Sequence, residues 1–228
     1  MFLQHLENFP SKVLFISKLL IHLHTDRSVC KKMDNTKNFI IEEAFKLFLN
    51  HSYEAVSISD ISKAIGFTKG ALYHHFKNKE DLFRSVVDKY LVLPEIDVDI
   101  EKLSLSEYIR LSLVKTQMFL ETLFNVTQVF SPINHMSFFT DAYRHYPGYA
   151  QAKDSHISKE IEKTRIVLEN AVKSGEIRGD INLAVIANNF FAINLCLAGN
   201  LVRNNSVEEG ITLLKEQTNE FYKLLKKT

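Results

Sequence analysis

The sequence predicts an all-α protein. Its 228 residues contain only seven glycines and four prolines. Apolar residues recur at three- and four-residue spacing, which is typical of amphipathic helices, whereas the alternation typical of strands is hard to find. The length suits one large domain or two modest ones. An apolar content of 46% and a charged content of 24% are ordinary for a soluble globular protein.

Residues 1–32 allow three interpretations. The apolar run Val13–Leu23 is too short to span a bilayer, and Glu7 and Pro10 precede it where a secretory signal needs basic residues. We therefore do not predict a membrane anchor. Two interpretations stay open: an extra amphipathic helix that packs on the body, or a translation start at Met33, which we favour.

Four helices are predicted over residues 34–93. The first begins with an N-cap within residues 34–36 and ends at Asn50–Tyr53. Ser57 and Asp60 form a capping box for the second, and Gly66 supplies its left-handed C-terminal residue. The other two helices have their N-caps at Thr68 and Asn78, and Pro94 stops the last one.

A composition shift over residues 94–103 predicts a domain boundary, which divides the chain into 1–32, 33–93 and 94–228. Five helical segments follow it. They are a helix from the Ser104–Glu107 capping box to about Leu120, an irregular helical stretch over 124–146, a helix from the Pro147–Gly148 turn to Ser174, an apolar helix from Asp180 to Arg203, and a last helix capped by Ser206 and Glu209.

The segment 57–79 is the most informative part of the chain, because the net charge of +1 gives no argument for nucleic acid. Between Ile61 and Lys79 it carries four lysines and two histidines and no acidic residue. Two short helices joined by the turn 65–68 predict a helix-turn-helix whose second helix enters the major groove of duplex DNA.

The run SISDISKAIGFTKGALYHHFKNKEDL, residues 57–82, resembles the signature of TetR/AcrR-type transcriptional regulators. The resemblance covers roughly residues 34–80, whereas residues 95–228 match only in length and helical layout. It implies a three-helix DNA-binding domain followed by a helical ligand-binding and dimerisation domain. It also implies a cytoplasmic homodimeric repressor that an unknown small-molecule effector releases from a palindromic operator in double-stranded DNA.

The same resemblance implies which residues touch DNA. They are Ser57, Thr68, Lys69, Gly70, Tyr73, His74, Lys77 and Lys79. The first turn of the recognition helix, residues 68–70, would touch base edges and backbone, and Tyr73, His74 and Lys79 the phosphates. Alternatives stay open: Ser57 as a cap alone, Gly70 as a site of tight helix packing, and Tyr73 with His74 as a partly buried ring pair.

Aromatic residues are dense between residues 119 and 149, which suggests an apolar small-molecule site, although ordinary core is the better explanation for any single one of these residues. The candidates are Phe119, His135, Phe139, Tyr143, Asn188 and Phe191. The last two long helices are apolar enough to need a partner, which favours an isologous dimer.

No enzyme, metal or cofactor is predicted. Asp141 and His145, with His135 and His156 near in sequence, match no strong zinc signature, and solvated surface histidines explain them better. Cys30 and Cys196 form no C-x-x-C pair, which fits a reducing cytoplasm. The alternative function is a DNA-binding or interaction protein of the same fold without ligand response, such as a nucleoid or division factor.

Overall fold

The structure, a computed structural model, describes residues 33–92, 95–127 and 131–227, and within these ranges it is helical. The helices are α1 (Met33–Asn50), α2 (Ile58–Ile65), α3 (Lys69–His75), α4 (Lys79–Tyr90), α5 (Leu105–Thr127), α6 (Pro132–His145), α7 (Tyr149–Ser174), α8 (Leu183–Asn204) and α9 (Val207–Leu225), with a 3-10 turn at Ile100–Lys102. The all-α prediction is confirmed. The predictions for residues 1–32 and for Pro94 lie outside the described residues, and the domain bounds stay a prediction.

The ends of α2, α3 and α4 are fixed by side chains of the chain's own loops. The Ser57 hydroxyl accepts from the Asp60 amide at 3.2 Å, and the Asp60 carboxylate accepts from the Ser57 amide at 2.9 Å. Gly66 has φ +70°, the left-handed conformation that a glycine adopts without steric cost. Thr68 and Asn78 accept from the backbone N–H groups of Ala71 and Asp81. The predicted caps are confirmed.

The core of the N-terminal helices continues into the C-terminal half. Phe45 stacks on Tyr90 at a ring distance of 4.0 Å, and both belong to a buried cluster that also contains Phe83. Phe138 of α6 is part of the same cluster, 5.6 Å from the ring of Phe83. Helices α1 and α4, which flank the segment 57–79, therefore pack directly on α6 through buried aromatic rings.

Several helix boundaries differ from the prediction. Residues 34–36, predicted as the N-cap of the first helix, lie inside α1, and the predicted stretch 124–146 is divided between α5 and α6. Helix α5 runs to Thr127 instead of about Leu120, because its buried stripe continues through Leu120 and Leu123. Helix α8 begins at Leu183 with Asn182 as its cap, not at Asp180. The Asp180 carboxylate is held by the guanidinium of Arg178, with two N···O distances of 2.6 Å, so it does not cap the helix.

Glu176 follows the end of α7 and joins it to α5 and α9. Its carboxylate accepts from the backbone amides of Leu105 at 2.9 Å and Ser106 at 3.0 Å, at the start of α5. It also accepts from the Tyr222 hydroxyl of α9 at 2.7 Å. A carboxylate is favourable at a helix N-terminus, where backbone N–H groups have no partner inside the helix.

We expect Glu176→Ala to lower the free energy of unfolding by about 2 kcal/mol, because two amides and one hydroxyl lose a charged acceptor. Glu216→Ala, which removes an exposed carboxylate from α9, is the control and should stay within about 0.5 kcal/mol of the wild type. Urea denaturation followed by circular dichroism measures both. Equal stability of the two variants would contradict the bridging role of Glu176.

Candidate nucleic-acid interface

The outer face of α3 is polar, basic and open to solvent. Leu72 and Phe76 are buried in the core and fix the helix on its inner side. The opposite side exposes Lys69, Gly70, Tyr73, His74 and Lys77. The Tyr73 side chain is 53% exposed, so the alternative of a partly buried ring pair is wrong. The face has the composition expected of a helix that meets phosphates and base edges.

Gly70 has room for a side chain within the protein. A Cβ atom built at this position would meet only the Thr68 hydroxyl oxygen, at 3.8 Å, which is an ordinary van der Waals contact. Tight packing between helices therefore does not explain this glycine. The missing side chain changes only the outer surface, where it allows another molecule to approach the helix backbone.

The Ser57 side chain is hydrogen-bonded to Asp60 in the first turn of α2. Its hydroxyl donates to the Asp60 carboxylate at 2.6 Å and accepts from the Asp60 amide. The hydrogen bonds that the Ser57 hydroxyl and the Ser57 backbone N–H donate to the Asp60 carboxylate lower its pKa below the ordinary value, with a smaller contribution from Lys63. The geometry explains Ser57 as a cap, and a phosphate contact would have to replace its bond to Asp60.

Lys79 is half-buried, whereas Lys69 and Lys77 are exposed. Its ammonium donates to the backbone carbonyls of Tyr53 at 2.9 Å and Val56 at 3.0 Å. It also lies 4.0 Å from the centre of the Tyr53 ring, a cation–π contact. Burial lowers the pKa of Lys79. Two of the three ammonium hydrogens are used, so a phosphate could take the third.

Tyr53 connects this loop to the C-terminal helices. Its backbone N–H donates to the buried carboxylate of Asp141 at 2.8 Å, and its ring stacks on His145 at 4.4 Å. The expectation of solvated surface histidines is therefore wrong for His145, which packs against Tyr53 beside the buried Asp141. Sequence reasoning missed this contact, since Tyr53 and Asp141 are 88 residues apart. Within the described ranges no three metal-ligating side chains lie close enough to hold an ion.

The ligand-pocket candidates have different surroundings. Phe119 and Phe139 are half-buried against the cluster that contains Phe83 and Phe138, and the ring of Tyr143 lies 5.1 Å from that of Phe139. His135 is also half-buried, with Nδ1 2.8 Å from the Ser131 carbonyl, and burial lowers its pKa.

The two candidates on α8 stay predictions. Phe191 is half-buried, and Asn188 is exposed and donates to the Ala184 carbonyl of its own helix. A groove of about 270 Å³ lies on α9 and includes none of the candidates; its lining is Glu216, Asn219, Glu220, Tyr222, Lys223 and Lys226.

Comparison with known proteins identifies the helix-turn-helix segment. A family model described as "Bacterial regulatory proteins, tetR family" matches residues 40–86. The HTH-type transcriptional repressor ComR of Escherichia coli K12 is 38% identical over 73 residues, covering 29% of this chain and 35% of ComR. The negative transcriptional regulator IcaR of the icaADBC biofilm operon, from Staphylococcus epidermidis, is 38% identical over 52 residues, covering 23% of this chain and 28% of IcaR. The matches thus span about a third of the length of these curated relatives.

Solved structures share the fold over most of the chain. NalD of Pseudomonas aeruginosa, the secondary repressor of the MexAB-OprM multidrug efflux pump, superposes with a TM-score of 0.59 at 17% identity, covering 85% of this chain and 97% of NalD. A TetR-family regulator of Cytophaga hutchinsonii gives a TM-score of 0.56, also at 17% identity, covering 86% of this chain and 96% of its own. The family model and the curated relatives match the same segment, so the helix-turn-helix segment of this chain is similar to that of the tetR family of bacterial regulatory proteins, and the rest of the chain shares the fold of the solved structures.

Proposed function

We propose that the protein is a cytoplasmic, DNA-binding transcriptional regulator: a homodimeric repressor that a small-molecule effector releases from a palindromic operator. The outer face of α3 carries this proposal. It is basic and exposed, it has no acidic neighbour between residues 61 and 79, and its glycine has no packing role within the protein. The names of ComR, IcaR and NalD as repressors or negative regulators support the same direction of control.

The candidate DNA-contacting residues fall into three groups by their position in the helix-turn-helix segment. Thr68, Lys69 and Gly70 form the first turn of α3 and are assigned to base edges and the nearby backbone. Tyr73, His74 and Lys77 lie further along the same exposed face and are assigned to phosphates. Lys79 and Ser57 have structural contacts of their own, so we assign them first to holding α2 and α4 in place, and only second to phosphate.

The dimer is proposed to form through α8 and α9. Helix α8 is long and apolar enough, by length and composition alone, to cross a membrane, yet only 22% of its apolar window is buried. Val185, Leu195 and Val202 follow one another at helical spacing and are exposed. The same two helices from a second copy would cover this face, and a two-fold dimer reads two half-sites related by the same symmetry.

An effector would act by shifting the position of α4, which follows the recognition helix directly. Helix α4 is coupled to α6 by the rings of Phe83 and Phe138, and to the α6–α7 corner by the Arg84 guanidinium, 5.2 Å from the Tyr146 ring. A ligand that prefers one arrangement of the C-terminal helices would change the population of the DNA-binding state.

Selection of bound fragments from genomic DNA, followed by fluorescence anisotropy on the enriched duplex, tests the function. The enriched fragment should be bound more tightly than random DNA of the same length, by at least about a thousandfold at physiological salt. Binding that is indifferent to sequence would overturn the repressor assignment.

We expect Gly70→Ala to separate DNA binding from folding. A methyl group fits within the protein, so the free energy of unfolding should change by no more than about 0.5 kcal/mol. Affinity for the enriched fragment should fall about tenfold, because the methyl group holds the helix away from the groove. Thermal unfolding and anisotropy measure the two effects. A large loss of stability with unchanged affinity would show that the glycine serves packing.

Lys77→Met and Lys79→Met remove the same charge and should behave differently. Lys79→Met loses two carbonyl contacts and a cation–π contact, and the free energy of unfolding should fall by about 2 kcal/mol. Lys77→Met should leave stability unchanged and lower the slope of log affinity against log salt by about one. Urea denaturation and anisotropy at several salt concentrations measure this. Equal stability of the two variants would contradict the structural role of Lys79.

Leu195→Glu should convert the dimer to a monomer, because it places a charge at the centre of the exposed apolar face of α8. Leu195 is 63% exposed in one copy, so the change should not disturb the monomer fold. Ile133→Glu is the control, since Ile133 of α6 is 62% exposed but lies outside the proposed interface. Sedimentation velocity measures the association state. A dimer that survives Leu195→Glu but not Ile133→Glu would place the interface on α6 instead.

A further inference from the structure

The inward face of α7 is unusually polar. Tyr149, Lys153, His156, Glu160 and Thr164 follow one another at three- or four-residue spacing, so they share one side of the helix. All five are buried or half-buried. The same side continues with apolar residues near the end of the helix, as a core-facing side normally does. Charged groups at such positions are expensive unless each has a partner.

Two of these residues are satisfied by neighbouring side chains. The Thr164 hydroxyl lies 3.0 Å from the Tyr108 hydroxyl of α5. The Glu160 carboxylate accepts from Lys163 at 2.6 Å and has Lys115 of α5 at 3.7 Å. These contacts explain why this part of α7 tolerates polar groups. They also leave this side of α7 positively charged, because Lys115 and Lys163 share the single Glu160 carboxylate and Lys153 acts on the neighbouring His156.

Lys153 is not satisfied in this way. No acidic group of the described residues lies within ion-pair distance of its ammonium, which sits 5.9 Å from the centre of the Phe139 ring. Burial is what lowers its pKa below the ordinary value. One turn earlier, the Tyr149 hydroxyl is buried and has no hydrogen-bond partner in the described part of the chain. The Tyr149 hydroxyl and the Lys153 ammonium therefore lie on one side of α7, and neither has an acceptor within the described residues.

Helix α5 borders this side of α7. Every residue from 111 to 119 is half-buried: none is fully covered and none is fully exposed. A helix on a filled core shows a buried stripe and an exposed stripe. Uniform partial exposure is instead expected beside an open cleft. Phe119 at the end of this stretch and Phe139 of α6 are half-buried and apolar.

We propose that an open cleft lies between α5 and α7 and binds a small organic acid, with its anionic group on the Lys153 ammonium and the Tyr149 hydroxyl and its apolar body towards Phe119 and Phe139. The proposal rests on the proposed function, because it names the chemical class of the effector. A carboxylate supplies the acceptor that both groups lack, and a charge-assisted hydrogen bond formed away from water is stronger than one at the surface. His156, one turn further along α7, is made less basic chiefly by burial, which lowers its pKa, so at neutral pH it can act as a hydrogen-bond partner without charge.

The position of this cleft connects it to the DNA-binding helices. The Tyr149 ring lies 5.7 Å from the Tyr146 ring, and Tyr146 contacts Arg84 of α4. Tyr146 also interacts with Asp88, one turn after Arg84, which raises the pKa of the Tyr146 hydroxyl together with burial. An acid that draws Tyr149 towards Lys153 would therefore act on a ring that touches α4. This is a route of direct contacts, whose coupling the experiment below measures.

Thermal unfolding of the full chain tests the site with benzoate, octanoate and 2-naphthoate, each paired with its neutral amide. At least one acid should raise Tm by about 2 °C or more above its amide. Lys153→Met should abolish that difference, and without ligand it should raise Tm by about 2 °C, because it removes an unpaired half-buried charge. Lys153→Arg, which keeps the charge, should retain part of the acid effect. The matched control is Lys159→Met, an exposed position on the same helix, which should change neither value.

The inference is overturned if no acid of the series exceeds its amide, or if Lys153→Met keeps the full difference. DNA binding is measured separately by anisotropy without ligand. Acid-dependent stabilisation in a protein that binds no DNA would refute the proposed function and keep the site. Tight operator binding without any acid effect would refute only the site. An acid that stabilises the wild type but leaves its operator affinity unchanged would overturn the effector role.

Discussion

The contact between Lys79 and Tyr53 fixes the loop that precedes the helix-turn-helix. One ammonium group, at the start of α4, holds the carbonyls of Tyr53 and Val56, which precede α2. The Tyr53 amide is in turn bound by Asp141 of α6. The loop that leads into the helix-turn-helix is thus held from α4 on one side and from the C-terminal helices on the other. The direction in which α3 presents its outer face depends on this loop, because α2 and its Ser57 cap follow it immediately.

The chain is nearly neutral as a whole, with 28 basic and 27 acidic residues, but its charges are distributed unevenly along the structure. Several of the acidic residues are used at helix starts, where Asp60, Asp81 and Glu107 bind backbone N–H groups. On the exposed face of α3, Asp81 accepts from the Lys77 backbone N–H, but the side chains of Lys69 and Lys77 form no ion pair within the described residues. Their charge is therefore available for attraction to a phosphate backbone at physiological salt.

Local features were predictable from the sequence and long-range contacts were not. A cap involves residues within four positions of one another, so Ser57, Thr68, Asn78 and Ser206 were correctly assigned. The start of α8 was misplaced because the sequence does not show that Arg178 takes the Asp180 carboxylate. The partners of Lys79 and Asp141 are 26 and 88 residues away, beyond any local pattern. The spacing from Tyr149 to Thr164 places these residues on one side of α7, but it does not show which of them are buried without a partner.

The helix caps of the N-terminal half determine how this region can move. Helices α2, α3 and α4 each begin with a backbone N–H that donates to a side chain of the adjacent loop, and Gly66 ends α2 by its own backbone conformation. None of these devices depends on α5 to α9. The internal geometry of α2 to α4 would therefore survive a displacement of the C-terminal helices, and the whole group would swing as a rigid body. In the proposed dimer, a small rotation near α4 in each copy would change the distance between the two α3 helices, so DNA binding would be controlled by movement of folded helices and not by their unfolding.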